Sequence, residues 1–333
     1  MPYQGIRRTV VSGSLAYDNI MVFRGRFGEH ILPDKLQILN VAFEVPQLRR
    51  EFGGCAGNIA YNLALLGDSP LMLAAAGRDF AAYRKRIERL GLDTALITEL
   101  PDQLTAQAYI ITDLDDNQIT AFHPGAMNHA HCRKLPDGTG AALGLISPDG
   151  RRAMLEHARQ MHDADLPFIF DPGQGLPQLS GAELRELARM SSWVAVNSYE
   201  AEMLLRKTGW DHEALCRETR AFIVTEGARG ARIHHSGGCE FIPPAKARKV
   251  VDPTGCGDAF RAGLAYGIVR GWNWHDTGRL AALLGAIKAE SAGTQNHHFE
   301  VKQLQIRFKE NYEYEIDLGS GVDAGLPKCA SAR

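Results

Sequence analysis

The chain has 333 residues, enough for one large α/β domain or two smaller ones. Its 37 basic and 39 acidic residues leave a net charge of −2, which argues against charge-driven binding of nucleic acid or an anionic membrane. Six scattered cysteines with no Cys-x-x-Cys pair argue against a disulfide framework or a zinc ribbon. The first ten residues lack the apolar core of a signal peptide, and no apolar run is long enough to span a bilayer, so a soluble, cytoplasmic protein is expected.

Residues 8–13 form a short β-branched run ending in glycine, which predicts a buried first strand. Ser14 to Asp18 follow where such a strand opens at its C-terminal end, the edge at which doubly wound sheets bind ligands. Residues 19–50 contain Pro33 and Pro46 and alternate at Leu36, Ile38, Asn40 and Ala42, which predicts an extended excursion rather than a crossover helix. Segments 105–112 and 117–122 predict a hairpin that supplies the other strands of a small lid. Between them, Gly53, Gly54 and Gly57 lead into an apolar helix with Asn58 in its first turn. Tight packing on the sheet explains the glycines as well as a ligand does, but it explains Asn58 less well.

Strands at 71–76, 143–147, 168–170, 193–196 and 221–225 alternate with helical stretches, including 79–90 and 149–162. That alternation predicts an α/β fold with a doubly wound, mostly parallel sheet. Asn197 opens a helix, and Glu200 three residues on completes a capping-box pair. No Gly-x-x-x-x-Gly-Lys-Ser/Thr occurs, so the chain is not a P-loop enzyme. Gly255-Cys256-Gly257 has Phe260 where a dinucleotide fingerprint needs its last glycine, and the histidines lack zinc spacing.

Asp252-Pro253-Thr254 reads as a turn, and the small residues Ala259, Ala262, Gly263 and Ala265 predict a closely packed helix beyond it. Gly255-Cys256-Gly257 then lies at a helix N-terminus, where free N–H groups and the helix dipole make an anion hole suited to a phosphoryl group. Asp258 beside it is, read alone, either a helix cap or a general base.

The run 252–260 resembles the C-terminal signature of the ribokinase-like (PfkB-type) kinases, Asp-Thr-x-Gly-x-Gly-Asp-x-Phe. Residues 53–67 resemble the N-terminal signature of the same family, Gly-Gly-x-x-Gly-Asn-x-Ala-x-x-Leu-Ala-x-Leu-Gly. The resemblance covers about residues 7–312. It implies a single kinase domain over 1–317 with lid segments about 19–50 and 105–122, while the Gly/Ser/Ala-rich stretch 318–333 is expected to be a disordered tail.

By position, the resemblance implies Asp258 as the base, with Gly255, Cys256 and Gly257 as the anion hole. Ser14, Asp18, Gly54 and Asn58 are implied at the sugar hydroxyls, with Phe122 and the lid residues near Ala42 and Ala108 flanking a base. Asn197, Thr225, Gly227 and Gly230 are implied toward ATP, Glu200 toward Mg²⁺ through water, and Asp252 with the 291–297 loop toward K⁺. His297 stands where relatives often carry a small polar residue. Likeness is closest to the bacterial adenosine kinases, implying transfer of the ATP γ-phosphoryl group to a ribose 5′-hydroxyl, adenosine first. Ala108 stands where several similar enzymes place a phenylalanine, which argues against a strict adenine preference; a broad nucleoside kinase is the nearest alternative and a sugar kinase the next. The partners implied are nucleoside and ATP, and the lid strands offer an apolar edge for a homodimer.

Overall fold

A computed structural model describes residues 8–318 except 32–36, 39 and 116, so the expected tail beyond Leu318 and the lid residues Pro33 and Leu36 lie outside the described residues. The chain enters as β1 (Arg8–Ser12) and passes directly into β2 (Ala16–Val22). A single helical turn, α1 (Phe27–His30), and β3 (Leu48–Gly53) follow, and the chain returns through α2 (Cys55–Leu65) and β4 (Leu71–Gly77). After α3 (Ala81–Arg89) and β5 (Ile97–Leu100) it makes a second excursion as the hairpin β6 (Ala106–Thr112) and β7 (Gln118–His123).

Next come β8 (Ala141–Ile146), α4 (Arg151–Asp163), β9 (Phe168–Phe170), α5 (Gly181–Met190) and β10 (Trp193–Asn197). These are followed by α6 (Ser198–Thr208), α7 (His212–Glu218) and β11 (Ala221–Thr225). The hairpin β12 (Ala231–His235) and β13 (Gly238–Ile242), then α8 (Cys256–Arg270), α9 (Trp274–Ala289) and α10 (Val301–Tyr312), complete the fold. Among the described residues no helix is long and apolar enough to cross a membrane.

The large sheet has nine strands in the order β13-β12-β11-β10-β9-β8-β1-β4-β5, parallel from β5 through β11. Its strands are apolar on both faces, as the helices that cover both sides require. Val11, Leu145, Ala195 and Ile223 face the layer of α2, α8 and α9, whereas Val10, Ile146, Val194 and Phe222 face that of α4, α5 and α6. From β1 the chain goes first to β4 on one side and later to β8 on the other. The crevice at the C-terminal end of β1 is therefore the topological switch point, where open α/β sheets bind ligands.

The four-stranded lid runs β3-β2-β6-β7, with β2 and β6 parallel and the other pairs antiparallel. It begins at Ala16, earlier than residue 19, so Asp18 sits on a lid strand rather than in a turn. Only Gly13, Ser14 and Leu15 separate β1 from β2, too few for a crossover, and the strand must pair elsewhere.

α8 and α9 pack through small residues. A Cβ on Gly263 would lie 2.5 Å from Ala281 Cα, and one on Gly267 would lie 2.5 Å from Thr277 Oγ1. Gly263→Ala should therefore force the helices apart and cost about 1–3 kcal/mol. Urea or thermal unfolding of that variant checks this, and an unchanged midpoint would mean that the α8–α9 contact yields freely.

Candidate active site

Two helix N-termini meet at the switch point. Ser14, just past β1, caps α2 twice: its Oγ accepts from Cys55 N at 3.1 Å and its carbonyl from Ala56 N at 3.0 Å. Gly54, with φ +88°, must be glycine, since a Cβ would lie 2.5 Å from that same carbonyl. The first turn of α2 then aims Asn58 at α8, and its Nδ2 donates to Asp258 Oδ2 at 2.8 Å. The amide is oriented from behind, because Asn58 Oδ1 accepts from Gln295 Nε2 at 3.1 Å. Gln295 Nε2 lies 2.6 Å from the Tyr83 hydroxyl, which donates to Gly53 O at 2.7 Å.

Asp258 stands in the first turn of α8, whose N-cap Gly255 has φ +81°. A Cβ on Gly257 would meet nothing within 4 Å, so the backbone there borders open space. Burial pushes the Asp258 carboxyl up to about 7. The Asn58 hydrogen bond opposes that shift, the charge of Asp171 adds to it, and Arg261 lowers it again. A carboxylate poised near neutrality at a helix N-terminus can exchange a proton at ordinary pH. Cys256 lines the same turn with its thiol pushed up by burial, so it is the less reactive thiol form that lies there.

Asp18 lies directly across from Glu51, from Ala108 and, one strand further, from the register partner of Ala108, Phe122. Residues in register share a face, so one row crosses all four lid strands from two carboxylates to an aromatic ring. The Asp18 carboxylate overlies Gly53, where a Cβ would come within 2.4 Å of it. Burial, then the charges of Asp252 and Glu51, push its carboxyl up to about 6. Among the described residues no group donates a hydrogen bond to it, and Phe122 is half exposed.

On the other side, Asn197 and Glu200 form a reciprocal capping box, with Asn197 N donating to Glu200 Oε2 at 2.8 Å and Glu200 N to Asn197 Oδ1 at 2.9 Å. The cap leaves Glu200 Oε1 and Asn197 Nδ2 for other partners. Burial, then the nearby Asp171, raises the Glu200 pKa, a penalty that a cation would relieve. That donor set fits Mg²⁺ held through water. Thr225 ends β11 with its hydroxyl 3.4 Å from Val196 O, and Gly227 (φ +61°) faces open space. Gly230 makes room for the β12–β13 hairpin instead, since a Cβ there would lie 2.2 Å from Ile242 O.

Asp252 precedes the anion hole and accepts from Thr254 N at 2.9 Å and Gly293 N at 2.8 Å. Burial works against its ionisation, but these bonds outweigh it and hold the carboxyl below its ordinary value. The oxygens here do not fit K⁺, since Lys288 Nζ already donates to Asp252 O at 2.7 Å and to Ser291 O at 3.1 Å.

Sequence reasoning missed Arg261 and Asp171. Arg261, one turn beyond Asp258, bonds Asp171 Oδ2 through Nε at 3.0 Å and Ala195 O through Nη2 at 3.2 Å. Both side chains are buried, and among the described residues Arg261 Nη1 has no partner. The signal was a charged residue in an otherwise small and apolar helix, together with a carboxylate at the end of an apolar strand.

A glycine-rich helix N-terminus, an adjacent buried carboxylate and a lid over a doubly wound sheet define a phosphotransferase of the ribokinase-like fold. The family model for pfkB family carbohydrate kinases matches residues 26–300, and the chain belongs to that family. The nucleoside kinase of Burkholderia thailandensis, solved in complex with inosine, superposes with a TM-score of 0.85 at 47% identity. That match covers 92% of this chain and 99% of the other. The nucleoside kinase of Methanocaldococcus jannaschii is 30% identical over 78% of this chain and 85% of its own length. An aminoimidazole riboside kinase from Salmonella typhimurium is 28% identical over 67% of this chain and 75% of its own.

The raised Asp258 pKa has two consequences of opposite sign. As a base it must be ionised, so kcat/KM should fall about tenfold per unit below pH about 7. Because the folded state holds this proton more tightly than the unfolded chain, the stability it contributes is full below about pH 3.8 and is lost as pH rises through about 7. Asp258→Asn should therefore raise the melting temperature more at pH about 8 than at pH about 5, while turnover falls roughly 10²–10⁴-fold. Melting curves at the two pH values, paired with turnover, check both signs; wild-type turnover in the variant removes Asp258 from the base role.

Proposed function

We propose that this protein is an ATP-dependent nucleoside kinase that phosphorylates the ribose 5′-hydroxyl of purine ribonucleosides, adenosine and inosine among them. The observation that carries the reading is the Asn58–Asp258 contact at 2.8 Å, which supports a proton-accepting role for this carboxylate beside the Gly255–Gly257 turn. Asp258 takes the 5′-hydroxyl proton as the phosphoryl group arrives, and the α8 N-terminus stabilises the transferred charge. Asp18, from the lid, and the Asn58 side accept and donate to the ribose hydroxyls. Thr225 and Gly227 border the nucleotide phosphates, and Mg²⁺ near Glu200 neutralises part of their charge when bound. The likeness to the inosine-bound Burkholderia enzyme supports a nucleoside rather than a free sugar.

The lid row reaches the base only through Ala108 and Phe122, which offer contact area and no hydrogen bond. An apolar slot separates flat rings weakly, whereas a buried carboxylate deprived of its hydroxyl costs about 1–3 kcal/mol or more. Adenosine and inosine should therefore differ by less than about tenfold in kcat/KM, while 2′-deoxyadenosine loses at least about tenfold. Steady-state kinetics on these three nucleosides checks this; equal use of adenosine and 2′-deoxyadenosine overturns the placement of Asp18 at the ribose.

The face of the lid turned away from Asp18 carries a second row, Leu48, Met21, Ile111 and Ile119, in register across all four strands. Leu48 is 64% exposed and Ile119 41%, which supports a homodimer through this face. Light scattering should give twice the chain mass, and Ile111→Asp should give a monomer. A monomeric wild type rejects the pairing.

A further inference from the structure

We propose that the Lys288 ammonium is a tethered monovalent cation that holds the loop leading into the anion hole, so that this kinase works without potassium. The inference rests on the reading of Gly255–Gly257 as the phosphoryl-binding hole.

Lys288 lies in the last turn of α9, and its side chain is fully buried. Burying a lysine ammonium is costly unless oxygen atoms replace its water. Here the Nζ donates to Asp252 O at 2.7 Å and Ser291 O at 3.1 Å, with Asp252 Oδ2 at 4.0 Å. Two carbonyls and a carboxylate from two separate loops around one positive point make a cation site, and the point is already occupied by part of the chain. Ammonium and potassium carry equal charge and have similar radii, so a free ion at the same oxygens would meet both crowding and repulsion.

The position is useful because of what the bridged segments do. The backbone N–H groups of Val251 and Asp252 both donate to Ala289 O, at 2.8 and 3.1 Å, and Asp252 Oδ2 accepts from Gly293 N. Together with the ammonium, these bonds fasten the segment just before Gly255 to the C-terminal end of α9. That end carries the negative pole of the helix dipole, which favours a cation there. Cys256 N in turn donates to Pro253 O at 3.2 Å, so the fastened segment continues into the hole itself.

The neighbouring imidazole agrees with a charge at this point. His297 is buried, its Nε2 lies 2.9 Å from Asn62 Oδ1, and its Nδ1 has no partner among the described residues. It is held neutral, with its pKa pushed down to about 3, by burial first and then by Lys288 and His298. Lys288 acts through the loops it bridges rather than on either substrate. It is a positioning residue.

The test compares nucleoside-dependent ATP turnover in potassium, sodium and choline chlorides at matched ionic strength. The unaltered protein should turn over within about twofold in all three. Lys288→Met should lower kcat at least about tenfold with the nucleoside KM nearly unchanged, as expected when a preorganised hole is loosened rather than the ribose site. In Lys288→Ala, potassium or ammonium, but not choline, should restore part of kcat and raise the melting temperature. Potassium should leave the melting temperature of the unaltered protein where choline leaves it.

Potassium-dependent turnover in the unaltered protein overturns the proposal, as does wild-type kcat in Lys288→Met. If the variants do not fold, the salt series on the unaltered protein decides. No nucleoside phosphorylation in any salt overturns the functional reading instead. In that case the potassium-dependent melting of wild type against Lys288→Ala still decides the cation site.

Discussion

The hydrogen bond between Asn58 and Asp258 joins two helix N-termini that lie 200 residues apart in sequence. Each terminus brings partial positive charge and unpaired N–H groups to the end of β1. On α2, Ser14 consumes two of those donors, the N–H groups of Cys55 and Ala56. A carboxylate placed there feels two opposed influences. The dipole and the Asn58 amide favour its charge, and burial with the charge of Asp171 disfavours it more. A pKa near neutrality is the outcome of that balance.

The rest of the molecule keeps the two termini in place. Parallel strands order the crevice, and α8 reaches it by packing closely on α9, Gly263 against Ala281 and Gly267 against Thr277. Arg261 ties α8 to the end of β9 through Asp171 and to the middle of β10 through Ala195 O, and Lys288 ties the segment before α8 to the end of α9. Both are buried cations, costly to desolvate, and each is held by oxygens of an adjoining segment. Such contacts specify geometry more than they add stability. Removing either partner alone would strand a charge in the interior.

The lid divides its labour between two faces because strand side chains alternate. One face carries Glu51, Asp18, Ala108 and Phe122 in a row, and the other carries Leu48, Met21, Ile111 and Ile119. Shifting one strand by a single residue would turn its own members of both rows to the opposite faces, so register is what keeps the carboxylate and the aromatic ring on a common side.

The sequence by itself determined the local pieces: apolar strands ended by polar turns, the alternation that demands a parallel sheet, and the glycines that open α2 and α8. It also contained both signatures of the family, since they depend on residue type at short spacing. The capping box of Asn197 and Glu200 was legible for the same reason, as three residues set its geometry. What only the tertiary structure decided involves partners distant in the chain. The Tyr83–Gln295–Asn58 relay, the Asp171–Arg261 pair and the two lid rows each join segments whose proximity comes from strand order rather than spacing. Lys288 is the clearest case. In sequence it is one lysine near the end of an apolar helix, where a charge is expected to reach solvent. The fold closes two loops over it, and their carbonyls take the place of the water.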